Sequence, residues 1–118
     1  MTFDHIKLIE IIETLSLEDL DKTDFGIIGF NKDSIIEVYN NMESALSGIK
    51  KESVVGNHLF EDVAPCMNNY LVALKFEEME ELDEIIPYIL SLKVKPVKVD
   101  LRLIKNVCLR LNYVLIKR

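Results

Sequence analysis

The sequence predicts an α+β domain built on an antiparallel sheet, and three observations lead to this prediction. Apolar residues recur at helical spacing over the first 20 residues, two short strand-like runs lie before residue 40, and the carboxyl-terminal third alternates apolar and polar residues. The 118 residues suit one compact domain, and no repeat or Pro/Gly linker divides them. We therefore expect a single domain over 1–118, with a helical cap over 1–22 and a core over 23–118.

The amino-terminal segment predicts an amphipathic cap. Residues 3–20 carry an apolar stripe with acidic residues between its members, and the stripe consists of Phe3, Ile6, Ile9, Ile12 and Leu15. Ser16 and Asp19 have the spacing of a capping box and predict a second short helix. A segment of this kind must cover an apolar surface.

The next segment predicts a hairpin followed by short helices. The apolar run over 25–30 ends at a turn over 31–33 and continues into a strand over 35–39. Asn40 has the position of a helix N-cap, with Glu43 three residues later. Over 41–63 we expect short helical pieces, interrupted by Gly48 and Gly56 and ended by Pro65.

The last third predicts one longer helix and three strands. The helix is expected over 68–82. The alternation of Val97, Val99, Leu101 and Leu103 with polar residues predicts a half-buried strand. A strand before it carries Tyr88, Leu90, Leu92 and Val94, and a strand after it spans 109–116.

Composition and charge exclude several functional classes. Hydrophobic residues make up 49% of the chain, the formal net charge is −6, and the basic residues between Lys93 and Arg118 are expected on strand exteriors. An acidic domain without a basic patch is not expected to bind nucleic acid. No apolar run reaches the roughly 20 residues of a membrane helix, and the amino terminus lacks the pattern of a signal peptide. We expect no membrane contact and a cytoplasmic location.

Cysteine and histidine usage indicates neither a metal site nor an enzyme. Cys66 and Cys108 are expected as free thiols, because the cytoplasm is reducing, and Cys108 is expected to pack within the sheet. His5 and His58 stand alone and are interpreted as surface or hydrogen-bonded histidines. Neither a nucleophile–base pair nor a phosphate loop is visible, so we predict no catalysis.

The order of elements and four short segments resemble PAS domains, and more narrowly the photoactive yellow protein family. The segments are Phe25–Gly29, Tyr39–Asn40, Val55–Asn57 and Asp62–Cys66. The resemblance covers nearly the whole chain, and its most specific part is the run GNHLFEDVAPC over 56–66, because generic PAS domains carry no cysteine there. It implies a PAS fold, with a central antiparallel five-stranded sheet, short helices on one face and an N-terminal helical cap.

The resemblance also implies a chromophore and the residues that hold it. In the family, a cysteine binds p-coumaric acid (4-hydroxycinnamic acid) as a thioester, and Cys66 matches that cysteine. Tyr39 and Glu43 match the residues that bond the chromophore phenolate, and Ser47 matches a supporting threonine. The chain departs from the family pattern at Ile49, which replaces an arginine lid. It departs again from Met67 onward, because the residues that follow the cysteine differ from those usual in the family.

The residue types suit that chemistry, but each has a structural alternative. Cys66 is expected to precede a helix amino terminus, an environment that favours the thiolate; the alternative is a small buried apolar residue. Glu43 can donate to a buried phenolate when it is protonated, or it can be a solvent-facing capping acid. Tyr39 can donate its hydroxyl, or it can be an ordinary rim tyrosine.

Two functions follow, one of them implied by the resemblance. The first is a blue-light photoreceptor for sensory transduction, in which light isomerises the chromophore, Glu43 gives up its proton, and release of the cap signals to a partner protein in trans. The second is a chromophore-free PAS interaction or dimerisation module, or a sensor that binds a small ligand reversibly. A homodimer through the apolar stripe of Phe3, Ile6, Ile9 and Ile12 is a further alternative.

Overall fold

The protein folds around a five-stranded antiparallel sheet, as expected for a PAS domain. The computed structural model describes residues 1–91 and 95–118. The strands are β1 (Gly26–Phe30), β2 (Ile36–Tyr39), β3 (Leu82–Leu90), β4 (Val97–Lys105) and β5 (Asn112–Lys117). Their order in the sheet is β2-β1-β5-β4-β3, and all neighbours pair antiparallel. The chain therefore enters at one edge, with β1 and β2, and completes the centre last, with β5.

The predicted hairpin of β1 and β2 is confirmed, and Asn31 shapes its turn. The Asn31 side-chain oxygen accepts hydrogen bonds from the backbone N–H of Asp33 at 2.9 Å and of Ile35 at 3.1 Å. Ser34 completes the reversal with a left-handed φ of 64°. The turn thus aligns β2 so that Tyr39 faces Ile28 of β1.

The helices after β2 lie on one face of the sheet and are shorter than predicted. They are α3 (Asn41–Ser47), 3₁₀ turns at Lys51–Ser53 and Pro65–Met67, a π-helical turn at Leu59–Val63, and α4 (Ala73–Glu78). The helix predicted over 68–82 is wrong at both ends. At the start, the Asn69 side chain accepts from the N–H groups of Leu71 and Val72, which holds a local turn; at the end, the backbone is already extended at Met79.

The predicted strand is present as β4, but it is not half-buried throughout, since Val97 is exposed and residues 101–104 are buried on both faces. The strands on either side of it also need correction. β3 pairs with β4 from Leu82 to Leu90, whereas Leu92 and Val94, assigned to the same strand, lie outside the described residues. β5 begins at Asn112 and not at residue 109, because Asn106 holds a turn there by accepting from the N–H of Cys108 at 2.9 Å. Cys108 is exposed in this turn, so the prediction that it packs within the sheet is wrong.

Two hydrophobic cores lie on opposite faces of the sheet. The helix-side core contains Ile28, Phe30, Tyr39, Phe60 and Met67 among its buried members. The cap-side core lies beneath the amino-terminal segment and contains Phe3, Leu8, Ile12, Leu20, Phe25, Ile27, Ile104, Tyr113 and Leu115. Burial of both faces explains why β1 and β5 are continuously apolar and do not alternate.

The cap covers the sheet, but not as one continuous helix. It contains α1 (Leu8–Ile11), a 3₁₀ turn (Ile12–Thr14) and α2 (Leu17–Leu20), and α2 begins with the predicted capping box of Ser16 and Asp19. The predicted stripe is wrong at Ile6, which is 91% exposed, whereas Leu8 and Leu20 are buried and were not predicted. The break between the short helices changes which side chains face the sheet.

Two charged side chains fasten this cap to the sheet. Arg102 of β4, 4% exposed, donates to both carboxylate oxygens of Asp83 and to the backbone carbonyls of Phe3 and His5, at 2.8–3.0 Å. Glu13 accepts from two backbone N–H groups, at Arg110 and Leu111, and from the Tyr113 hydroxyl. The expectation that the basic residues after Lys93 lie on strand exteriors is therefore wrong for Arg102.

Within the described ranges 1–91 and 95–118, the helices are all too short and too polar to cross a membrane.

Candidate functional site

Asn40 joins the strand end, the following helix and the cap at one point. Its side-chain oxygen accepts from the N–H of Glu43 at 3.1 Å, which confirms the predicted N-cap, and from the N–H of Ile27 at 2.9 Å. Its amide nitrogen donates to the carbonyls of Leu20 and Phe25. This buried side chain therefore sets the position of α3 relative to β1 and to the end of the cap.

Tyr39 and Ser47 form the first polar pair of the site. Tyr39 ends β2, Ser47 ends α3, and their hydroxyl oxygens share a hydrogen bond of 2.8 Å inside the helix-side core. Burial raises the pKa of Tyr39 to about 12, so its hydroxyl keeps its proton at neutral pH. The pair offers a neutral donor within an apolar surrounding, and the rim position considered for Tyr39 is wrong because the side chain is buried.

Glu43 points inward from α3 and pairs with Arg118, which directly follows β5. Its side chain is 0% exposed, so the solvent-facing alternative is wrong. The Arg118 guanidinium donates to one carboxylate oxygen at 2.7 Å and to the other at 3.1 Å. Gly26 leaves the space for this carboxylate, because a Cβ there would lie 2.0 Å from one Glu43 oxygen.

Burial and the ion pair act in opposite directions on Glu43. Loss of solvent raises the pKa of Glu43 above its ordinary value, and the hydrogen bonds and charge of Arg118 oppose that rise. The two-pronged geometry requires both oxygens to be acceptors, which is the ionised form of the carboxyl. The site thus contains a buried carboxylate with one cation beside it.

Cys66 lies at a corner of the chain held by two side chains. It sits inside the 3₁₀ turn Pro65–Met67, and its carbonyl accepts from the Tyr88 hydroxyl at 2.5 Å and from the Asn69 amide at 3.1 Å. α4 begins only at Ala73, so the expectation that Cys66 precedes a longer helix is wrong. The residue is partly exposed and packs against the helix-side core, which differs from the fully buried alternative.

The four predicted residues lie around one core, in two groups. Tyr39, Ser47 and Glu43 are brought together by β2 and α3, and Cys66 reaches the same helix-side core from the corner after Pro65. The two departures from the family pattern lie in this core as well. Met67 is fully buried in this core. Ile49, which stands at the position of the family's arginine lid, packs against it.

A groove of about 820 Å³ runs along the ends of β3, β4 and β5 beside these residues. It is lined by Leu71, Tyr88, Val99 and Arg118, together with Pro87, Ile89, Lys98, Asp100 and Lys117. Tyr88 connects the groove to the Cys66 carbonyl, and Arg118 connects it to Glu43. The groove therefore adjoins both groups of the candidate site.

Arg118 is the site residue that sequence reasoning missed. Its side chain is 16% exposed, so the expectation of a strand exterior is wrong here too. The sequence does contain an indication: Arg118 falls two residues after Ile116 and continues the apolar helix-side face just beyond the end of β5. A charged residue in register with a core face needs a partner of opposite charge.

Neither histidine is without a partner. The Nδ1 atom of His5 accepts from the Lys7 N–H, and the Nδ1 atom of His58 accepts from two backbone N–H groups at the start of the π-helical turn. In the part of the chain that the structure describes, His, Cys, Asp and Glu side chains form no cluster of three that would hold a metal ion.

Comparison with known proteins supports the fold and the family resemblance. No family model matches the chain. The chain is 28% identical over 110 residues to a photoactive yellow protein from Halochromatium salexigens, with 91% of this chain and 88% of the relative covered. The photoactive yellow protein domain of the sensor histidine kinase Ppr from Rhodospirillum centenum superposes with a TM-score of 0.83 and 25% identity, covering 92% of this chain and 98% of that domain. The chain has the PAS fold and is similar to photoactive yellow proteins.

A second photoactive yellow protein and a more distant PAS domain are also similar to the chain. A photoactive yellow protein from Rhodothalassium salexigens is 26% identical over 102 residues, covering 84% of this chain and 82% of the relative. The PAS domain of an HTR-like protein from Haloarcula marismortui superposes with a TM-score of 0.67 at 14% identity, covering 92% of this chain and 97% of that domain. The similarity to photoactive yellow proteins thus rests on the relatives at 25–28% identity, and the domain at 14% identity shows the fold alone.

Proposed function

We propose that this domain is a blue-light sensor that carries p-coumaric acid as a thioester on Cys66 and signals to a partner protein in trans. The observation that carries the proposal is the inward-facing set of Tyr39, Ser47 and Glu43 beside the same core that Cys66 contacts. Two hydroxyls and a carboxyl buried together are costly in an apolar core, and they suit a ligand with one polar end.

Tyr39, Glu43 and Cys66 fit p-coumaric acid in both polarity and position. Tyr39 remains a neutral donor at neutral pH, and a buried Glu43 with a raised pKa can hold a proton beside a bound anion. Cys66 is partly exposed, and its carbonyl is fixed by Tyr88 and Asn69, so its thiol has a defined starting point. When bound, such a group supplies absorption of visible light and a change of shape at its double bond.

Loading of the purified protein tests the proposal. After incubation with activated p-coumaric acid, the wild type is expected to gain a visible absorption band that blue light bleaches reversibly. Cys66→Ala removes the thiol and should abolish the band completely, whereas Cys108→Ala removes the exposed turn cysteine and should leave it unchanged. An absent band in the wild type, with a Cys66 thiol that still titrates as free, would overturn the proposal.

The signalling step is proposed to run from Glu43 to the cap through Asn40. After Glu43 gives up its proton, it is a buried carboxylate. Leaving this carboxylate unpaired costs several kcal/mol, so Glu43 must either pair with Arg118 again or become exposed to solvent. Asn40 bonds both the Glu43 N–H and the Leu20 carbonyl at the end of the cap, so a shift of α3 disturbs the cap attachment.

In the loaded protein, illumination is therefore expected to accelerate amide hydrogen exchange over residues 1–22. Glu43→Gln cannot transfer that proton, so it should retain a colour but lose most of this acceleration. The measurement is hydrogen exchange by mass spectrometry in the dark and under blue light. An equal cap response in wild type and Glu43→Gln would contradict this route.

The second candidate function is a chromophore-free module for protein interaction or reversible ligand binding. Full burial of Met67 favours it, since this side chain fills part of the core beside Cys66. The loading experiment separates the two candidates, because only the sensor acquires a thiol-dependent band.

A further inference from the structure

The Glu43–Arg118 pair has a geometry that a neutral carboxyl does not provide. Both oxygens of Glu43 accept hydrogen bonds from one guanidinium, at 2.7 and 3.1 Å, while the carboxylate side chain is fully buried. A protonated carboxyl has only one oxygen free to accept in this way. In this geometry the pair therefore carries one negative and one positive charge, and the sum is zero.

Arg118 also faces the groove from which a ligand can approach. It lines this groove with Leu71, Tyr88 and Val99, and it uses two of its five N–H donors on Glu43. Lys98, Asp100 and Lys117 are the other charged residues along the groove. Arg118 lines the groove and Glu43 does not, so the guanidinium is the part of the ion pair that a polar group in the groove can contact.

We propose that Arg118 is the residue that recognises the phenolate end of the ligand, and that Glu43 takes up the phenol proton when the ligand replaces it on the guanidinium. This inference rests on the proposed function, since it names the group that binds the polar end of the same ligand. It assigns Arg118 the role of a specificity-determining residue.

The exchange conserves both protons and charge. Before it, the site contains Glu43 as a carboxylate and Arg118 as a cation, and the entering phenol is neutral. Afterwards the phenol O–H bond is broken, its proton is bonded to a Glu43 oxygen, and the phenolate is paired with Arg118. No net charge enters the core, so the exchange avoids the penalty for burying an unpaired anion.

The groups that face Glu43 are few. Tyr39 ends β2, Arg118 directly follows β5, and Gly26 of β1 lies against the Glu43 carboxylate. Tyr39 is neutral at neutral pH because burial raises its pKa to about 12. Within the described residues, Arg118 is therefore the cation that is placed to balance a bound phenolate.

The first experiment follows the protonation state of the loaded ligand. Wild-type protein loaded with p-coumaric acid should carry it as phenolate, with visible absorption, at neutral pH. In Arg118→Gln the ratio of phenolate to phenol at a fixed pH should fall by about 10- to 100-fold, because a charge-assisted hydrogen bond is lost. Arg110→Gln removes an equal charge from a largely exposed ion pair with Glu37 and should behave as wild type.

The second experiment requires no thioester. In unloaded protein with ¹³C-labelled glutamate carboxyls, NMR titration should find Glu43 ionised at neutral pH in wild type and protonated in Arg118→Gln; Glu43→Gln assigns the signal. 4-Nitrophenol serves as a free probe and should bind wild type as the yellow phenolate but not Arg118→Gln. Arg118→Lys, which retains the charge, provides the comparison if the glutamine variant does not fold.

The outcomes separate this inference from the proposed function. Failure to load, together with Arg118-dependent binding of nitrophenolate, would overturn the thioester proposal and support the role of Arg118. Loading with the same phenolate fraction in wild type and Arg118→Gln would overturn the role of Arg118 alone. A Glu43 carboxyl that is already protonated in the unloaded wild type at neutral pH would also overturn it.

Discussion

Replacing Arg102 with methionine is expected to detach the first part of the cap and to lower the free energy of unfolding by about 2–4 kcal/mol. Methionine keeps most of the buried volume but donates no hydrogen bond. The Phe3 carbonyl then loses the partner that the guanidinium provides at 3.0 Å, and the paired Asp83 loses its cation. Asp83 is partly exposed and can be solvated, so most of the cost falls on the cap.

Two measurements check this result. Chemical denaturation gives the loss of stability, and hydrogen exchange over residues 1–15 should accelerate far more than exchange in the sheet. Lys98→Met is the matched control, because Lys98 lies on the same face of β4, is exposed, and contacts the groove rather than the cap. Cap exchange in Arg102→Met equal to that of wild type would show that the apolar contacts of the cap-side core suffice.

A methyl group added at Gly26 is expected to be as damaging, for a different reason. The Cβ of Gly26→Ala would lie 2.0 Å from a Glu43 oxygen and 3.0 Å from its carboxyl carbon, so the side chain must leave its place. Displacement separates Glu43 from Arg118 inside the core, and we expect a loss of about 3–5 kcal/mol. Gly26 does not have a positive φ, so backbone strain does not contribute.

A double variant distinguishes this cause from general crowding of β1. In a Glu43→Ala background the carboxylate is absent, and Gly26→Ala should then cost about 2 kcal/mol less than it does in wild type. The measurement is a double-mutant cycle by chemical denaturation. Equal costs in the two backgrounds would indicate that the strand itself, and not Glu43, rejects the methyl group.

The local parts of the site were readable from sequence. The sequence predicts a strand that ends at Tyr39 and a helix that begins after the N-cap Asn40, with Glu43 in its first turn. The structure has this arrangement. The spacing did not reveal which way Glu43 faces, because a capping acid in the first turn can be exposed or buried. Its direction is decided by Gly26, which makes room for it, and by Arg118, which balances its charge.

Short elements were harder to predict than long periodic ones. β4 lies where its alternating pattern predicts a strand, but burial alternates only over 98–101, because the cap covers the second face over 102–104. The helix predicted over 68–82 spans only Ala73–Glu78, because the Asn69 side chain holds the backbone of the preceding turn. A single side-chain hydrogen bond of this kind does not change hydrophobic periodicity.

The α+β class, the hairpin, the capping residues and the resemblance to PAS domains follow from the order of residues along the chain, since these features depend on near neighbours. The roles of Arg102 and Arg118 became visible in the folded protein alone. Arg102 lies in β4 and Arg118 directly follows β5, and their partners Asp83 and Glu43 are 19 and 75 residues away. A buried cation is stable only beside its partner, and that proximity exists only once the sheet has assembled.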